Sequence, residues 1–278
     1  MQKLTLLTAA MLCGVLMVTA QNIENGHEWV DLGLPSGLKW ATCNVGADTP
    51  EADGDYYAWG ETETRTDYTW DTYKFTTDGG STFTKYNGTD GKTTLDSEDD
   101  AATVNWGGKW RMPTDDEWTE LRENCTWTWV EGYNGTDKNG YEVKSKTNGN
   151  SIFLPAAGSR SDDGLYDAGY SGDYRSSSLD TNYPRYAWGV YFDSDNVSRA
   201  SSYCCFGRSV RPVCQITTPT ALAAAEMPAV YAADGRIVCA QEFRVFDLLG
   251  RDVTRQNGTL SGVYVVKTAD AAQKVVVK

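Results

Sequence analysis

Residues 187–214 read AWGVYFDSDNVSRASSYCCFGRSVRPVC, and their periodicity decides the fold class. Trp188, Val190 and Phe192 alternate with Gly189, Tyr191 and Asp193, the pattern of a strand buried on one face and open on the other. From Asn196 to Gly207 the alternation dissolves into Ser, Arg, Ala, Tyr, Cys and Phe, which reads as a contact loop. Arg208 to Val213 then restores a short strand-like frame around Pro212. The outward Tyr, Ser, Gly, Asp and Arg are the residues that antibody loops use for low-entropy contacts and adaptable hydrogen bonds. The stretch predicts a ligand-binding surface and no catalytic residue. Its candidate contact residues, with those just upstream, are Tyr174, Arg185, Tyr186, Tyr191, Asp193, Arg199, Tyr203 and Phe206.

Upstream, residues 30–34 and 38–42 alternate around Pro35-Ser36-Gly37, a hairpin signature. DYYAW at residues 55–59 predicts a further short strand. Residues 62–97 are rich in Thr, Asp, Gly and Tyr with little apolar periodicity, and predict long surface loops. GGKWRMP at residues 107–113 reads as a strand that closes into the helix start of WRMPTDDEWTELRENC at 110–125. Thr114 is placed as an N-cap, Asp115, Asp116 and Glu117 fill the first turn, and Glu117 completes a capping box. Trp118 and Leu121 give that helix its apolar side. CTWTWV at residues 125–130 and GYEVK at 140–144 read as strands, and SIFLP at 151–155 as an apolar central strand.

The first 20 residues, MQKLTLLTAAMLCGVLMVTA, carry Lys3 before an apolar run and end Val-Thr-Ala, so they predict a secretory signal cleaved before Gln21. No later stretch is long and apolar enough to span a membrane as a helix. The formal charge of −13 opposes binding to phosphate backbones or anionic lipid. Nucleic acid is therefore excluded as a partner. Cys43, Cys125, Cys204, Cys205, Cys214 and Cys239 are too sparse for a disulfide framework. Cys43 and Cys125 read either as a buried bridge or as two buried thiols, and Cys204 and Cys205 as members of the contact loop.

Seven motifs in order, DLGLPSGLKWATCNVGA, YYAWGE, WRMPTDDEWTEL, NCTWTW, NGNSIFLPAAG, DYRSS and SVRPV, resemble the Fibrobacter succinogenes major paralogous domain of secreted Bacteroidota proteins. That family is similar in fold to formylglycine-generating enzymes and to C-type lectins. The resemblance implies an α+β, C-type-lectin-like domain over residues 21–214, built from short twisted antiparallel strands with few helices. Arg111, Pro113, Leu154, Pro155, Trp188 and Arg211 match its motifs. Arg175 departs from them, standing where the family usually has an aromatic residue. Residues 151–214 contain no Lys, Glu, Gln or Met, and the outward residues are reachable from an Asn codon by changing its adenines. In this the stretch resembles the variable proteins of diversity-generating retroelements. A Ser/Asp/Gly-rich region that avoids long side chains is the alternative.

QITTPTALAAAEMP at residues 215–228 is a linker by composition. Residues 229–278 alternate valine-rich strands with Asp-Gly, Leu-Gly, Asn-Gly and Ser-Gly turns, predicting a small all-β sandwich. EFRVFDLLGRDV, GVYVVK and KVVVK resemble the type IX secretion sorting domain, with Gly262, Tyr264, Val266 and Lys274 matching its signature. The resemblance implies recognition by secretion machinery, and an exported protein at the outer cell surface or outside the cell.

The only histidine, His27, lies near the mature N-terminus, which removes Ser/His/Asp and Cys/His arrangements. Two enzymatic alternatives stay open. Asp162 with Asp163, or Asp193 with Asp195, would be the carboxylate pair of a glycoside hydrolase, although Asp in such Gly/Ser-rich loops more often closes a turn. A formylglycine-generating oxidase would need two thiols a few residues apart, and the spacing of Cys204, Cys205 and Cys214 does not match. The sequence assigns no cofactor. Residues 193–198 begin like a calcium loop, but Val197 stands where an oxygen ligand is needed, so a structural calcium has no assignable position.

Overall fold

A computed structural model describes residues 22–216, 230–233, 235–239, 242–268 and 272–277. The segment predicted to be a secretory signal and most of the predicted linker lie outside these residues. The chain divides between Ile216 and Thr217 into two compact units.

In the first unit, β1 (Ile23–Glu24) pairs with β2 (His27–Asp31), and β2 with β3 (Lys39–Ala41), so that Val30 faces Trp40 across the predicted hairpin. β4 (Tyr56–Tyr57) follows. Nothing in the sequence pattern announces α1 (Ala101–Trp106), which starts where the Asp100 carboxylate accepts the Thr103 N–H at 2.9 Å. Gly107 ends it at φ 64°, a conformation open to glycine at little cost. Only Trp110–Arg111 (β5) of the strand predicted over 107–113 then forms, because Pro113 leads directly into the next helix cap. α2 (Asp115–Asn124) carries the expected capping box, the Glu117 N–H donating to Thr114 Oγ1 and the Thr114 N–H to Glu117. Arg111 clasps the same Glu117 carboxylate through two nitrogens, at 2.6 and 2.7 Å.

β6 (Cys125–Val130), β7 (Gly140–Ser145) and β8 (Ser151–Pro155) form a three-stranded antiparallel sheet in that order. The strand expected to be central is thus at an edge. It is buried nonetheless: Ile152 and Leu154 enter the main core and Tyr133 stacks on Phe153 at 3.8 Å. A small hairpin of β9 (Ser159–Ser161) and β10 (Gly164–Tyr166) leads to three long strands, β11 (Ser171–Leu179), β12 (Tyr186–Asp193) and β13 (Val197–Tyr203). The stretch expected to be a contact loop is therefore largely strand, its Ser-rich residues paired one for one with β12.

Two short strands then close the unit. β14 (Arg208–Ser209) inserts between β11 and β4, and β15 (Val213–Cys214) between β3 and β5. The resulting five-stranded sheets have the orders β13-β12-β11-β14-β4 and β1-β2-β3-β15-β5, so residues 208–214 tie the two together. The main core joins Trp40, Trp118, Leu121, Val143, Leu154, Tyr174, Val190 and Phe192, drawing on α2 and three sheets. Each such fully buried side chain contributes about 1.5–3 kcal/mol of transfer free energy.

Residues 62–97 form no strand, yet they are not surface loops throughout. Tyr68, Tyr73, Phe75 and Tyr86 are all 5% exposed or less and build a second core with Trp59, Leu179, Cys204 and Cys205. Asx turns satisfy much of the backbone: Asp78 accepts from the N–H groups of Ser81 and Thr82, and Asn87 from those of Thr89 and Asp90.

In the second unit, β16 (Tyr231–Ala233) pairs with β17 (Arg236–Val238), and β18 (Arg244–Phe246), β19 (Gly262–Lys267) and β20 (Ala272–Val277) form a three-stranded sheet. Alternation is clean on β20, where Val275 and Val277 are buried and Val276 is exposed. Ile237, Val245, Leu260 and Val266 complete that core.

Candidate functional site

The register of the sheet sorts the predicted contact residues. Tyr174 lies opposite Val190 and Val190 opposite Arg199, so these three share a face, with Phe192 and Val197 beside them. Asp173 lies opposite Tyr191 and Tyr191 opposite Ser198, which puts Asp173, Arg175, Gly189, Tyr191, Asp193, Ala200 and Ser202 on the other face. The face bearing Tyr174 packs on the main core; the opposite, outward face is half-buried at Asp173, Tyr191, Asp193, Ala200 and Ser202 and buried at Arg175 and Gly189. The eight residues therefore do not form one surface.

Tyr174 is not a contact residue. It is 2% exposed, and its hydroxyl donates to the Pro155 carbonyl at 2.9 Å while accepting from Asn44 Nδ2 at 3.2 Å. Asn44 in turn accepts from Nε of the fully buried Arg211, whose Nη1 donates to the carbonyls of Ala41 and Thr42. Burial pushes the Tyr174 hydroxyl up to about 12. Arg199 belongs to the other side of the sheet from Tyr191. Its guanidinium lies 3.3 Å from the Trp188 ring centroid and pairs with Asp115 in the first turn of α2 at 2.8 Å. Trp188 is consequently half-buried under an arginine, and not in the core with Val190 and Phe192.

Asp193 closes the β12–β13 turn, accepting from the N–H groups of Asp195 and Asn196 at 3.0 Å, and the Tyr191 hydroxyl donates to it at 3.2 Å. These two residues sit together at one end of the outward face.

The remaining four gather at the opposite end of β12. Tyr186 and Tyr203 are stacked with centroids 4.6 Å apart, and Phe206 meets Tyr203 edge-on at 5.4 Å. The Arg185 guanidinium lies 4.9 Å from the Trp70 ring and 5.7 Å from that of Tyr203, a cation–π arrangement of about 0.5–1 kcal/mol at an exposed position. Tyr183 extends the group outward, 66% exposed and 6.4 Å from Tyr186. Trp70 escapes a reading of the sequence because it belongs to a segment without periodicity. The signal that could have found it is the aromatic spacing of Tyr68, Trp70, Tyr73 and Phe75.

Arg175 holds this rim from beneath. It is 1% exposed; Nη1 donates to Ser202 Oγ at 2.9 Å, and Nη2 to the carbonyls of Tyr203 at 2.6 Å and Phe206 at 2.8 Å. Burial, with the neighbouring Arg208 charge, lowers its pKa to about 10, so it stays cationic at neutral pH. An aromatic side chain, expected here from the family resemblance, could not reach three carbonyl and hydroxyl acceptors at once. The arginine turns the chain after β13 into a fixed corner.

Chemistry-bearing groups elsewhere are engaged in structure. Cys204 and Cys205 are buried in the second core, not displayed in a contact loop, and Cys214 belongs to a third cluster with Val45 and Trp110. Burial pushes each of these thiols up to about 12. Cys43 and Cys125 are both free thiols, in different clusters. Among the described residues one acidic group converges, Asp96, Glu98 and Asp99, and the ammonium groups of Lys74, Lys85 and Lys92 already neutralise it. Comparison with protein-family models, with curated proteins and with solved structures finds no match to this chain.

Proposed function

We propose that this chain is an exported or cell-surface protein that binds a macromolecular ligand, protein or glycan, through a rim on a C-type-lectin-like scaffold. The observation that carries the reading is the rim itself. Arg185, Tyr186, Tyr203 and Phe206, joined by Trp70 and flanked by the exposed Tyr183, offer rigid amphipathic rings and a cation, held on a corner that a buried arginine fixes. Aromatic and arginine side chains of low conformational entropy are the groups that dominate binding energy at interfaces. The fold assignment is supported by the short curled antiparallel sheets, the two helices and the closure of the unit by β14 and β15. Residues 229–278 act, on this reading, as the signal for type IX export, which the valine-rich sheet of the second unit supports.

The reading assigns no catalytic residue. Thiol oxidation would need a reactive thiolate, whereas burial raises Cys204, Cys205 and Cys214 alike. A carboxylate pair at Asp193 and Asp195 is weakened as an alternative because Asp193 is engaged in its own turn.

The test is a binding screen of the full-length protein on arrays of immobilised glycans and extracellular proteins, run beside the double variant Arg185→Ala/Tyr186→Ala. Signals for the wild type that the variant loses, at equal thermal stability, are the expected result. Wild-type signals that persist in the variant would move the site elsewhere.

A further inference from the structure

Of the rim's side chains only Arg185 is charged, and its charge is unanswered. The guanidinium is exposed, and among the described residues it has neither an ion pair nor a hydrogen bond, only the rings of Trp70 and Tyr203. Arg65, Arg111, Arg199 and Arg208 each have a carboxylate; Arg185 does not. Asp180, in the turn before it, is 4% exposed and accepts the Asn182 N–H at 3.1 Å. Asp71, next to Trp70 in the chain, is exposed. Neither is ion-paired with the guanidinium.

The residue is nonetheless held in place. Its carbonyl accepts the Cys204 N–H at 2.9 Å, Pro184 restrains the backbone just before it, and Trp70 supports the guanidinium. Trp70 is itself wedged: a Cβ on Gly80 would lie 2.6–2.9 Å from three of its ring atoms, so the Gly80 backbone lies against the indole. Tyr203 has Tyr186 stacked on it and meets Trp70 and Phe206 edge-on. A sugar ring binds an aromatic side chain by lying on an open ring face. At Trp70 and Tyr203, the two rings against the cation, protein groups already lie on the ring. What is open beside them is the guanidinium, whose coplanar N–H donors match a carboxylate two for two. The formal charge of −13 opposes a polyanion across the whole surface, so the complement is an isolated carboxylate on an otherwise neutral partner.

We propose that the rim binds a protein and not a glycan, and that the contact centres on an Asp or Glu side chain of that partner held by two N–H groups of Arg185. The inference rests on the binding reading above and commits it to one class of ligand. The partner's carboxylate supplies the counter-charge that the chain itself does not, and the exposed Tyr183 adds contact area at the edge of the rim.

A phage-displayed library of random peptides, selected on the immobilised full-length protein, supplies the probe, and a glycan array is run beside it. The selected peptides are expected to share an Asp or Glu. Replacing that residue by Asn or Gln in the synthetic peptide weakens binding at least about tenfold by fluorescence anisotropy. Arg185→Lys, which keeps the charge but not the two-pronged geometry, weakens it several-fold. Arg185→Glu reverses the preference toward peptides with Lys or Arg at the same position. Both variants keep the wild-type Tm, because the side chain is exposed. Peptides that bind equally well with the amide, or rim-dependent binding to glycans alone, overturn the proposal and leave the binding reading standing. A wild type that binds neither peptides nor glycans removes the reading and the proposal together.

Discussion

Residues 187–214 and residues 62–97 both contribute to the rim, and they reach it by opposite routes. The first stretch is regular: β12 lies between two partners, and its register alone determines that Val190 and Phe192 point inward while Tyr191 points outward. The second has no strand, yet Tyr68, Tyr73, Phe75 and Tyr86 are each 5% exposed or less. The tyrosine hydroxyls are anchored, Tyr68 donating to the Tyr56 carbonyl at 2.6 Å, Tyr73 to that of Trp59 at 2.9 Å and Tyr86 to the Asp99 carboxylate at 2.8 Å. Burial without periodicity is available when side-chain turns satisfy the backbone and polar-tipped aromatics find partners. An aperiodic Tyr/Asp/Thr/Gly segment can therefore be half of a core.

The comparison is broken most directly at Tyr68. Tyr68→Ala removes a ring that is 1% exposed and its hydrogen bond, and is expected to cost about 3–5 kcal/mol by denaturant unfolding. A loss under about 1 kcal/mol would return residues 62–97 to the surface.

Arg175→Met tests the regular side. It leaves the Tyr203 and Phe206 carbonyls without their shared donor, so a destabilisation of about 3 kcal/mol is expected, together with weakened ligand capture. An unchanged midpoint would mean that the corner holds without the arginine.

A smaller effect belongs to the helix beneath the sheet. Burial alone would raise the Glu117 carboxyl, but hydrogen bonds from Arg111 and the Thr114 backbone outweigh it and hold the pKa below its ordinary 4.5. A depressed folded pKa contributes stability that is complete above the unfolded value and lost as pH falls through the folded one. Glu117→Gln should cost about 1 kcal/mol at pH 7 and flatten the loss of stability below pH 4.5. A variant whose acid limb superimposes on the wild type would separate the helix cap from acid sensitivity.

The smallest effect is at the edge of the rim. Tyr183→Ala, at a ring 66% exposed, should change stability by no more than about 0.5 kcal/mol while reducing any binding that Arg185→Ala/Tyr186→Ala abolishes. A large loss of stability would show that Tyr183 is structural.

What was legible in the sequence follows from these contrasts. The α2 cap, the β2–β3 hairpin and the strands β6, β7 and β12 carry local signals, and each is in place. α1 is too short for its apolar spacing to register, and the Ser-rich β13 lacks the alternation that a strand buried on one face shows. Tyr174 and Arg199 do not sit where the sequence pattern puts them, because the inward face of a strand pair depends on register and on α2, neither of which is written in the stretch itself. Arg175 was legible only as an oddity. Its partners lie 27 to 31 residues away, so its role emerges only once β11 and the corner after β13 are in contact.

The central claim is that a buried arginine fixes the corner on which the rim is built. Hydrogen–deuterium exchange of the full-length protein, wild type against Arg175→Met, tests it most directly through the amides of Cys204, Phe206 and Gly207, which are bonded to the carbonyls of Arg185, Tyr203 and Arg160. The account predicts that in the wild type these amides exchange as slowly as those of β12, and that in the variant they accelerate at least tenfold while β6 and β7 stay unchanged, the tenfold corresponding to about 1.4 kcal/mol of local opening. Fast exchange at the corner in the wild type, or identical exchange in both proteins, would contradict it.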